Sequence, residues 1–238
     1  MLKIDLHIHT ILSGHAFGTF YDIVKEAKKK EMTMIAITDH GPGIPNGSQK
    51  DLFTGTHKRM PKIEGIKVLF GCETNLITKE GDLDIQEKHL KDLDIVLFGF
   101  HSSAEAYKDL GKEENTKAII KALKKNRIHI FVHPNANHFY NYDTEKVMEV
   151  AIKNNILLEI NISYIIKMAS EKGIESFKQI VDITRKHKKK LIVNTDSHFL
   201  HEIGDDSILD QVKDKIGLTD DLIINNYPEE LMKFIQSK

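Results

Sequence analysis

Short apolar runs alternate along the chain with longer, lysine-rich amphipathic stretches. Seven of the runs are β-branched and nearly all apolar, which is typical of strands that are covered on both faces. They occupy residues 2–9, 33–40, 66–74, 94–101, 128–133, 156–161 and 191–198. Between them, apolar residues recur at helical spacing, most clearly over 20–30, 115–126, 144–154 and 174–189. Strands and helices that alternate in this way predict an α/β fold with a parallel sheet.

The number of strand–helix units favours a barrel over an open sheet. Seven units within roughly 200 residues fit a closed or nearly closed (β/α) barrel of the TIM-barrel type. No Pro/Gly/Ser-rich linker divides the chain, so we expect a single domain over residues 1–238. The loop 41–50 follows a strand and is predicted to lie beside the active site. Residues 222–225 are a candidate eighth strand, and residues 228–236 predict a helix that closes the bottom of the barrel.

Histidine is the unusual residue of the composition, with 13 copies and no tag-like tract. Five of the seven predicted strands end in histidine, at His9, His40, His101, His133 and His198. Glu73 lies near the end of the third strand. In a parallel barrel the carboxyl ends of all strands meet at one rim, and that rim carries the chemistry of such folds. We therefore expect these side chains to converge.

The first predicted strand carries polar residues two positions apart. On a regular strand Asp5, His7 and His9 share one face, because side chains alternate with a period of two. Asp196 and His198 repeat the same spacing in the seventh strand. Burying such a row is costly unless every polar group has a partner, so either the row faces water or something binds it.

Nine donors are predicted to meet at the rim once the neighbouring loop is included: His7, His9, His15, His40, Glu73, His101, His133, Asp196 and His198. Imidazoles packed together without a cation would repel one another on protonation. Nitrogen and carboxylate oxygen donors together suit zinc, and manganese or iron less specifically. Nine donors exceed the need of one four-coordinate ion. The pattern therefore predicts two or three metal ions with Glu73 as a bridging ligand.

Other polar residues near the rim have less specific roles. His138 and His201 lie in rim-side loops and are candidates for substrate contact. Asp5 is expected one layer deeper, either as a partner of a ligand histidine or as a hydrogen-bonded core residue. Cys72 alternates away from Glu73 and is predicted to pack against the helices as a small core residue.

Charge and composition narrow the range of partners. The chain has 34 basic and 35 acidic residues, a formal charge of −1, and only three arginines. This balance gives no reason to expect specific nucleic-acid binding or an anionic membrane partner. A single cysteine excludes a disulfide framework, and no apolar run has the length of a signal peptide or a membrane span. We expect a cytoplasmic protein with a small-molecule substrate, and a homo-oligomer remains open.

Six motifs along the chain match one known family. They are DLHIHT (5–10), TDHG (38–41), GCE (71–73), GFHSS (99–103), FVHP (131–134) and NTDSH (194–198). In order and spacing they resemble the PHP (polymerase and histidinol phosphatase) superfamily over nearly the whole chain. The most similar branch is that of the stand-alone bacterial trinuclear-zinc phosphatase-like proteins. The resemblance implies a distorted seven-stranded (β/α) barrel with three metal ions at the strand carboxyl ends.

The resemblance also implies a division of the ligands among three ions. The first ion would take His7, His9, Glu73 and Asp196. The second would take Glu73, His101 and His133, and the third His15, His40 and His198. We assign the catalytic roles to Glu73, Asp196 and His198. The stretch EINIS (159–163) departs from a doubled asparagine that is common in this branch: Asn161 remains as a candidate substrate-binding residue, whereas Ile162 replaces the second amide.

These features lead to the hypothesis of a metal-dependent phosphoric ester hydrolase. Adjacent divalent ions acidify a bound water and clamp the attacking and leaving oxygens of an in-line displacement. We expect a metal-bound hydroxide to attack small phosphomonoesters, since no Ser/His/Asp or Cys/His nucleophile stands out. Two alternatives remain open. One is phosphodiester cleavage at nucleic-acid ends, as in PHP domains attached to polymerases, and the other is a metal-binding protein without activity.

Overall fold

A computed structural model of the chain describes residues 1–59, 61–136, 140–168 and 170–238. Seven parallel strands form one sheet in which each strand pairs with the next along the sequence. The strands are β1 (Ile4–Ile8), β2 (Met34–Ile37), β3 (Lys67–Asn75), β4 (Ile95–Gly99), β5 (Ile130–Phe131), β6 (Leu157–Asn161) and β7 (Ile192–Asn194). The sheet curls into a nearly closed barrel, which confirms the predicted fold class.

Helices cover the outside of the barrel, and each of the four long helices predicted from the sequence is present. The α-helices in the described ranges are α1 (Phe20–Lys29), α2 (Lys50–Phe53), α3 (Glu87–Leu90), α4 (Lys112–Lys125), α5 (Thr144–Lys153), α6 (Ile162–Lys167), α7 (Glu171–Lys186), α8 (Leu209–Val212) and α9 (Pro228–Gln236). The long helices begin at stable N-caps where the sequence offers them. The side chain of Ser170, for example, accepts the Gly173 N–H at the start of α7.

Two buried apolar clusters lie on opposite faces of the sheet. Alternate strand residues such as Leu6, Leu69 and Leu97 fill the barrel interior, where Leu231 and Ile235 of α9 pack against them. Helix α9 therefore closes the bottom of the barrel, as predicted. The residues of opposite parity pack beneath the helices (Cys72, Val96 and Phe98 among them), which places the single cysteine in the core between sheet and helices.

Side chains replace much of the missing backbone pairing where β1 meets β7. The Asn225 amide donates to the carbonyls of Ile4 (3.0 Å) and Val193 (2.7 Å), and its oxygen accepts the Val193 N–H at 3.0 Å. Higher up, the Asn194 side chain accepts the Leu6 N–H at 2.9 Å. We call this junction the β1–β7 seam. The seam is closed at the rim by backbone hydrogen bonds between Ser197 and the end of β1.

The candidate eighth strand does not form. Leu222 ends one short 3₁₀ turn (Asp220–Leu222), and Ile224 and Asn225 belong to another (Ile224–Asn226). Ile223 lies between them and makes a single bridge to Leu191. The physical reason lies in the seam: Asn225 inserts its amide between β1 and β7 in place of a strand's backbone groups.

The predicted alternation along the first strand is wrong because β1 is irregular. Between Asp5 and Ile8, β1 advances three residues while β2 advances two. An extra residue in one strand reverses which face the side chains occupy. Ile4 and Leu6 consequently lie inside the barrel, whereas Ile8 packs under the helices. Asp5 points away from the interior, and its carboxylate accepts hydrogen bonds from Thr195 and Gly204.

No helix within the described ranges is both long enough and apolar enough to cross a membrane.

His129 ties the closing helix to the barrel and makes stability depend on pH. Its buried ring accepts the Val96 N–H (3.0 Å) and lies 3.3 Å from the Ile235 carbonyl. Burial, followed by the nearby Arg127 charge, lowers the pKa of His129 to about 3. In the unfolded chain the ring titrates near its ordinary value of about 6.5. The unfolded state therefore binds an extra proton below that pH, and stability is lost as the pH falls toward 3.

We expect His129→Gln to flatten this dependence. Between pH 6 and pH 4.5, the free energy of unfolding of the wild type should fall by about 1 kcal/mol per pH unit more than that of the variant. Urea denaturation at several pH values measures the difference, with chelator present throughout so that metal-ligand titration is the same in both proteins. Parallel curves for the two proteins would contradict the prediction.

Candidate metal centre

The nine predicted donors all lie at the carboxyl-terminal end of the barrel. His7 is in β1 and Glu73 is in β3. The others follow the ends of strands or lie in the loop before α1: His9, His15, His40, His101, His133, Asp196 and His198. Their contacts with one another, described next, show that they form one cluster.

Glu73 occupies the middle of the cluster and is fully buried. Its Oε2 atom lies 2.8 Å from His40 Nδ1, 3.3 Å from His7 Nε2 and 3.4 Å from His9 Nε2. Three imidazole nitrogens therefore point at one carboxylate oxygen. The three nitrogens and this oxygen are buried, and none makes a hydrogen bond within the described structure.

The other oxygen of the same carboxylate contacts two further imidazoles. Glu73 Oε1 lies 3.0 Å from His101 Nε2 and 2.9 Å from His133 Nε2, and the two nitrogens are 3.3 Å apart. Gly99 makes this approach possible. A Cβ atom at Gly99 would lie 2.2 Å from the His101 ring and 2.7 Å from Glu73 Oε1. A residue with a side chain would displace both groups.

Asp196, His15 and His198 complete the cluster and contact the histidines that face Glu73 Oε2. Asp196 Oδ1 is 3.1 Å from His9 Nε2 and 3.4 Å from His7 Nε2. The His198 ring stacks against His9 and His15, with centroids 4.5 Å and 4.6 Å away. His15 also stacks on His40 at 5.1 Å.

Two of the predicted ligands have strained backbones. His133 has φ of 32° and Asp196 has φ of 57°, in the left-handed region that non-glycine residues seldom adopt. Such strain concentrates at functional sites, where the surrounding structure compensates for it. Here each residue turns the chain sharply just after a strand and so brings its side chain back over the barrel mouth.

Glu159 orients His7 and was not predicted from the sequence. Its Oε1 atom lies 2.9 Å from His7 Nδ1, and its Oε2 atom accepts the His133 N–H at 2.9 Å. The two oxygens of Glu159 accept hydrogen bonds, so His7 Nδ1 carries a hydrogen and Nε2 is the nitrogen left to bind a cation. The available signal was an acidic residue inside an otherwise apolar strand, at the same parity as Asn161.

His9 is held in the same orientation by a serine and an aspartate. Ser13 Oγ donates to Asp39 Oδ1 (2.6 Å), so it accepts at 2.9 Å from His9 Nδ1. His101 follows the same logic, because the Asn75 amide donates to Asp84 and its oxygen accepts from His101 Nδ1 at 2.6 Å. These partners fix the tautomers and leave the Nε2 atoms as ligands, an arrangement that is general around protein metal sites.

The pKa values of neighbouring imidazoles in the cluster are shifted in opposite directions. Burial disfavours a charged His7, but Asp196, Glu159 and Glu73 outweigh it and raise the pKa of His7 well above its usual value. Burial and the adjacent His40 instead hold the pKa of His9 well below its usual value. A proton on His7 therefore neutralises the cluster only in part, and the lone pair of His9 Nε2 remains opposed to carboxylate oxygens.

The donor set fits metal ions. Three groups of donor atoms lie within 4.8 Å of one another: His7, His9 and Asp196; His40, Glu73 and His101; and His9, His40 and His198. The unpaired nitrogens and oxygen around Glu73 point toward a common centre, where a cation would satisfy them together. Mixed imidazole and carboxylate donors are those that zinc prefers, with manganese and iron next.

Other residues singled out in the sequence lie outside the cluster. Asn161 is fully buried; its amide donates to Glu159 (2.9 Å) and to Asp196 (3.2 Å), while its oxygen caps α6 by accepting the Tyr164 N–H. This arrangement favours a role in positioning Asp196. The ring of His201 packs against Phe199. His138 is outside the described residues.

A cleft of about 1190 Å³ opens above the cluster. Its floor includes His40, Glu73, His101 and His133, and its far wall is formed by α6 and the first turns of α7. The loop 41–50 contributes Ile44 to the side of the cleft, in agreement with its predicted place beside the site. The cleft is large enough for a small organic ligand rather than an inorganic ion alone.

Sequence comparison assigns the chain to a family. The PHP domain matches residues 5–236. The chain belongs to the PHP domain family. The expected resemblance is thereby confirmed over the whole barrel, including every strand that carries a candidate ligand.

Relatives of similar length carry the description "probable phosphatase". One from Clostridium botulinum is 34% identical over 236 residues, which cover 99% of this chain and 95% of the relative. One from Thermoanaerobacter pseudethanolicus is 37% identical over 242 residues and covers 100% of this chain and 96% of the relative. Another, from Caldanaerobacter subterraneus, is 36% identical, with 100% and 92% coverage.

Two solved structures share the fold at low sequence identity. Histidinol phosphate phosphatase from Lactococcus lactis, solved with zinc, L-histidinol and phosphate, superimposes with a TM-score of 0.57 at 15% identity, over 91% of this chain and 94% of that one. A chain of archaeal ribonuclease P bound to mature tRNA gives 0.59 at 13% identity, over 98% and 88%. At these identities the likeness establishes the barrel alone.

We expect Glu159→Gln to weaken metal binding without unfolding the barrel. A glutamine places an N–H₂ group against one pair of donors, so it cannot hold both the His7 ring and the His133 backbone. Loss of such a partner commonly lowers metal affinity by about 10- to 100-fold. Chelator competition followed by metal analysis measures the affinity.

Glu149→Gln is the matched control, because Glu149 pairs with Lys186 and Lys153 on the outer helices and should leave metal affinity unchanged. Circular dichroism of both variants verifies the fold. Equal metal affinity in the two variants would show that Glu159 does not support the centre.

Proposed function

We propose that this protein is a metal-dependent phosphatase that hydrolyses small phosphomonoesters at a centre of three divalent ions, with zinc as the favoured metal and manganese or iron as substitutes. The observation that carries the proposal is the buried Glu73 carboxylate, whose two oxygens face five imidazole nitrogens. A carboxylate in this position can bridge ions on both sides.

The division of the chain's donors among three ions follows the resemblance to the PHP family. His7, His9 and Asp196 would hold one ion, and His101 and His133 a second, with Glu73 shared between them. His15, His40 and His198 would hold the third. His15 is exposed, and all three residues of this last group line the cleft, so an incoming substrate can reach them. Divalent ions bound there supply an acidified water and positive charge that matches a phosphate dianion and its transition state.

The protein's other side chains would position the metal ligands. Glu159, Ser13 and Asn75 fix the imidazole rings, and Asn161 holds Asp196 through its amide. His198 Nδ1 lies 2.9 Å from the Asp196 carbonyl, so its Nε2 is directed away from that bond and is available to an ion or to the substrate. The catalytic roles therefore fall on Glu73, Asp196 and His198, which hold and orient the reacting groups.

The relatives support the reaction class. Proteins that match nearly all of this chain at 34–37% identity are described as probable phosphatases, and the Lactococcus lactis enzyme with the same barrel was solved with zinc and phosphate. We further propose a cytoplasmic location and a small phosphorylated substrate, which agree with the near-neutral charge and the free, buried Cys72.

Phosphate release from a generic aryl phosphate tests the proposal. The purified protein should turn over the substrate, lose activity on dialysis against a chelator, and regain it with zinc or manganese. Asp196→Asn should lower kcat by more than about 100-fold, beyond the loss that is typical for a residue that only supports a ligand. Asp82→Asn is the matched control, since Asp82 lies at the surface and pairs with Lys125.

Two results would contradict the proposal in different ways. Metal-dependent cleavage of an aryl phosphodiester or of single-stranded DNA, without monoesterase activity, would point to the phosphodiesterase alternative. About three bound ions per chain without turnover on any ester would point to a non-catalytic metal-binding protein.

A further inference from the structure

The far wall of the cleft has a different chemistry from its floor. Helix α6 and the first turns of α7 contribute Ser163, Tyr164, Lys167, Lys172 and Ser176 to this wall. The floor is made of imidazoles and carboxylates, whereas the wall carries hydroxyl groups and two lysines. We call this surface the α6–α7 wall.

Lys167 and Lys172 lack ion-pair partners among the described side chains. Apart from histidines, they are the cationic side chains among the described residues that line the cleft. No carboxylate of a described side chain forms an ion pair with either ammonium group within 4.0 Å. Other lysines on the same helix do have such partners: Lys178 pairs with Asp182, and Lys186 pairs with Glu149.

The position of Lys172 has no explanation in helix stability. It lies in the first turn of α7, where the partial positive charge of the helix N-terminus disfavours a cation. A negatively charged ligand beside Lys172 would offset the unfavourable interaction of its ammonium group with the helix N-terminus.

The turn between the two helices holds both lysines beside the cleft. A Cβ atom on Gly173 would lie 1.9 Å from the Met168 carbonyl oxygen, so only glycine permits this close approach of α7 to the end of α6. The turn is tightened further by the Ser170 hydroxyl, which accepts the Gly173 N–H at 3.3 Å. Lys167 is the last residue of α6 and Lys172 is the second residue of α7, so the two lysines flank this turn.

Lys167 is close to the candidate metal centre. Its Nζ atom lies 5.0 Å from the centre of the Tyr164 ring, and that ring stacks on His133 with centroids 5.0 Å apart. One aromatic ring thus separates the ammonium group from a candidate metal ligand. A ligand that spans this ring would reach the metal centre at one end and the lysines at the other.

We propose that Lys167 and Lys172 bind a second anionic group of the substrate, a carboxylate or a second phosphate, distant from the phosphate that is hydrolysed. This inference rests on the proposed phosphatase function and specifies its substrate class. Phosphomonoesters with an additional negative charge would be preferred over neutral ones, because only they place an anion beside the two exposed ammonium groups that line the cleft.

The test compares substrates that differ in one charge. ω-Carboxyalkyl phosphates of increasing chain length are assayed beside alkyl phosphates of the same length, so that the leaving alkoxide is similar in each pair. For the best chain length, the wild type should show a kcat/KM at least about tenfold higher for the carboxylate, which corresponds to one charge-assisted hydrogen bond. The preference should shrink as ionic strength rises.

The double variant Lys167→Met/Lys172→Met should remove this preference. It should raise KM for the carboxylated substrate by about tenfold, leave kcat nearly unchanged, and leave the neutral substrate within about twofold. Lys124→Met is the matched control, because Lys124 is exposed in the last turn of α4, and both substrates should behave as in the wild type. Calorimetric binding of the corresponding phosphonates, which are not hydrolysed, provides a readout that needs no turnover.

The outcomes separate this inference from the proposed function. Good turnover of both substrates without a charge preference, or an equal loss on both in the double variant, would overturn the second anionic site while leaving the phosphatase intact. If no phosphomonoester is hydrolysed, the phosphatase proposal fails. The phosphonate binding then decides the inference alone: tighter binding of the carboxylated analogue that is lost in the double variant supports it, and equal binding overturns it.

Discussion

The site is governed by one constraint, a carboxylate buried among imidazoles that need a cation. Glu73 has no access to water, and its two oxygens face five ring nitrogens at 2.8–3.4 Å. The Nδ1 atoms of His7, His9 and His101 are engaged on their far sides, so their Nε2 atoms face the carboxylate oxygens. Such an arrangement is repulsive unless positive charge lies between the groups. The stability of this end of the barrel is therefore coupled to metal binding.

Residues from several different elements of the fold hold the carboxylate and the imidazoles in this arrangement. Gly99 leaves space for Glu73 and His101, the left-handed residues His133 and Asp196 turn their side chains back over the mouth, and Glu159 connects β6 to two candidate ligands. None of these residues would be chosen for stability in isolation. Their combined cost is acceptable because the interior of the barrel and the helix-covered face each form a continuous apolar core.

The sequence was most informative where a local pattern had only one structural outcome. Seven apolar runs ending in polar donors define parallel strands whose ends meet, so both the barrel and the convergence of nine donors could be predicted. Asp5 was misplaced because the argument assumed an uninterrupted period of two, and one extra residue in β1 breaks it. Glu159 was missed because its importance depends on contacts across the barrel with His7 and His133, which no local pattern encodes. The predicted eighth strand failed for a similar reason, since Asn225 has its partners on β1 and β7.

The β1–β7 seam has a consequence for how the polypeptide matures. Candidate ligands come from the first strand and from the segment after the last one, and the two sides are joined largely by asparagine side chains. While the protein is being synthesised, His7 and His9 leave the ribosome long before Asp196 and His198 exist. A nascent chain can build most of the sheet but lacks a full set of candidate ligands until residues 196 and 198 have been synthesised. The complete set of ions would therefore bind only after β7 has formed, and the cations would then link the two sides of the β1–β7 seam.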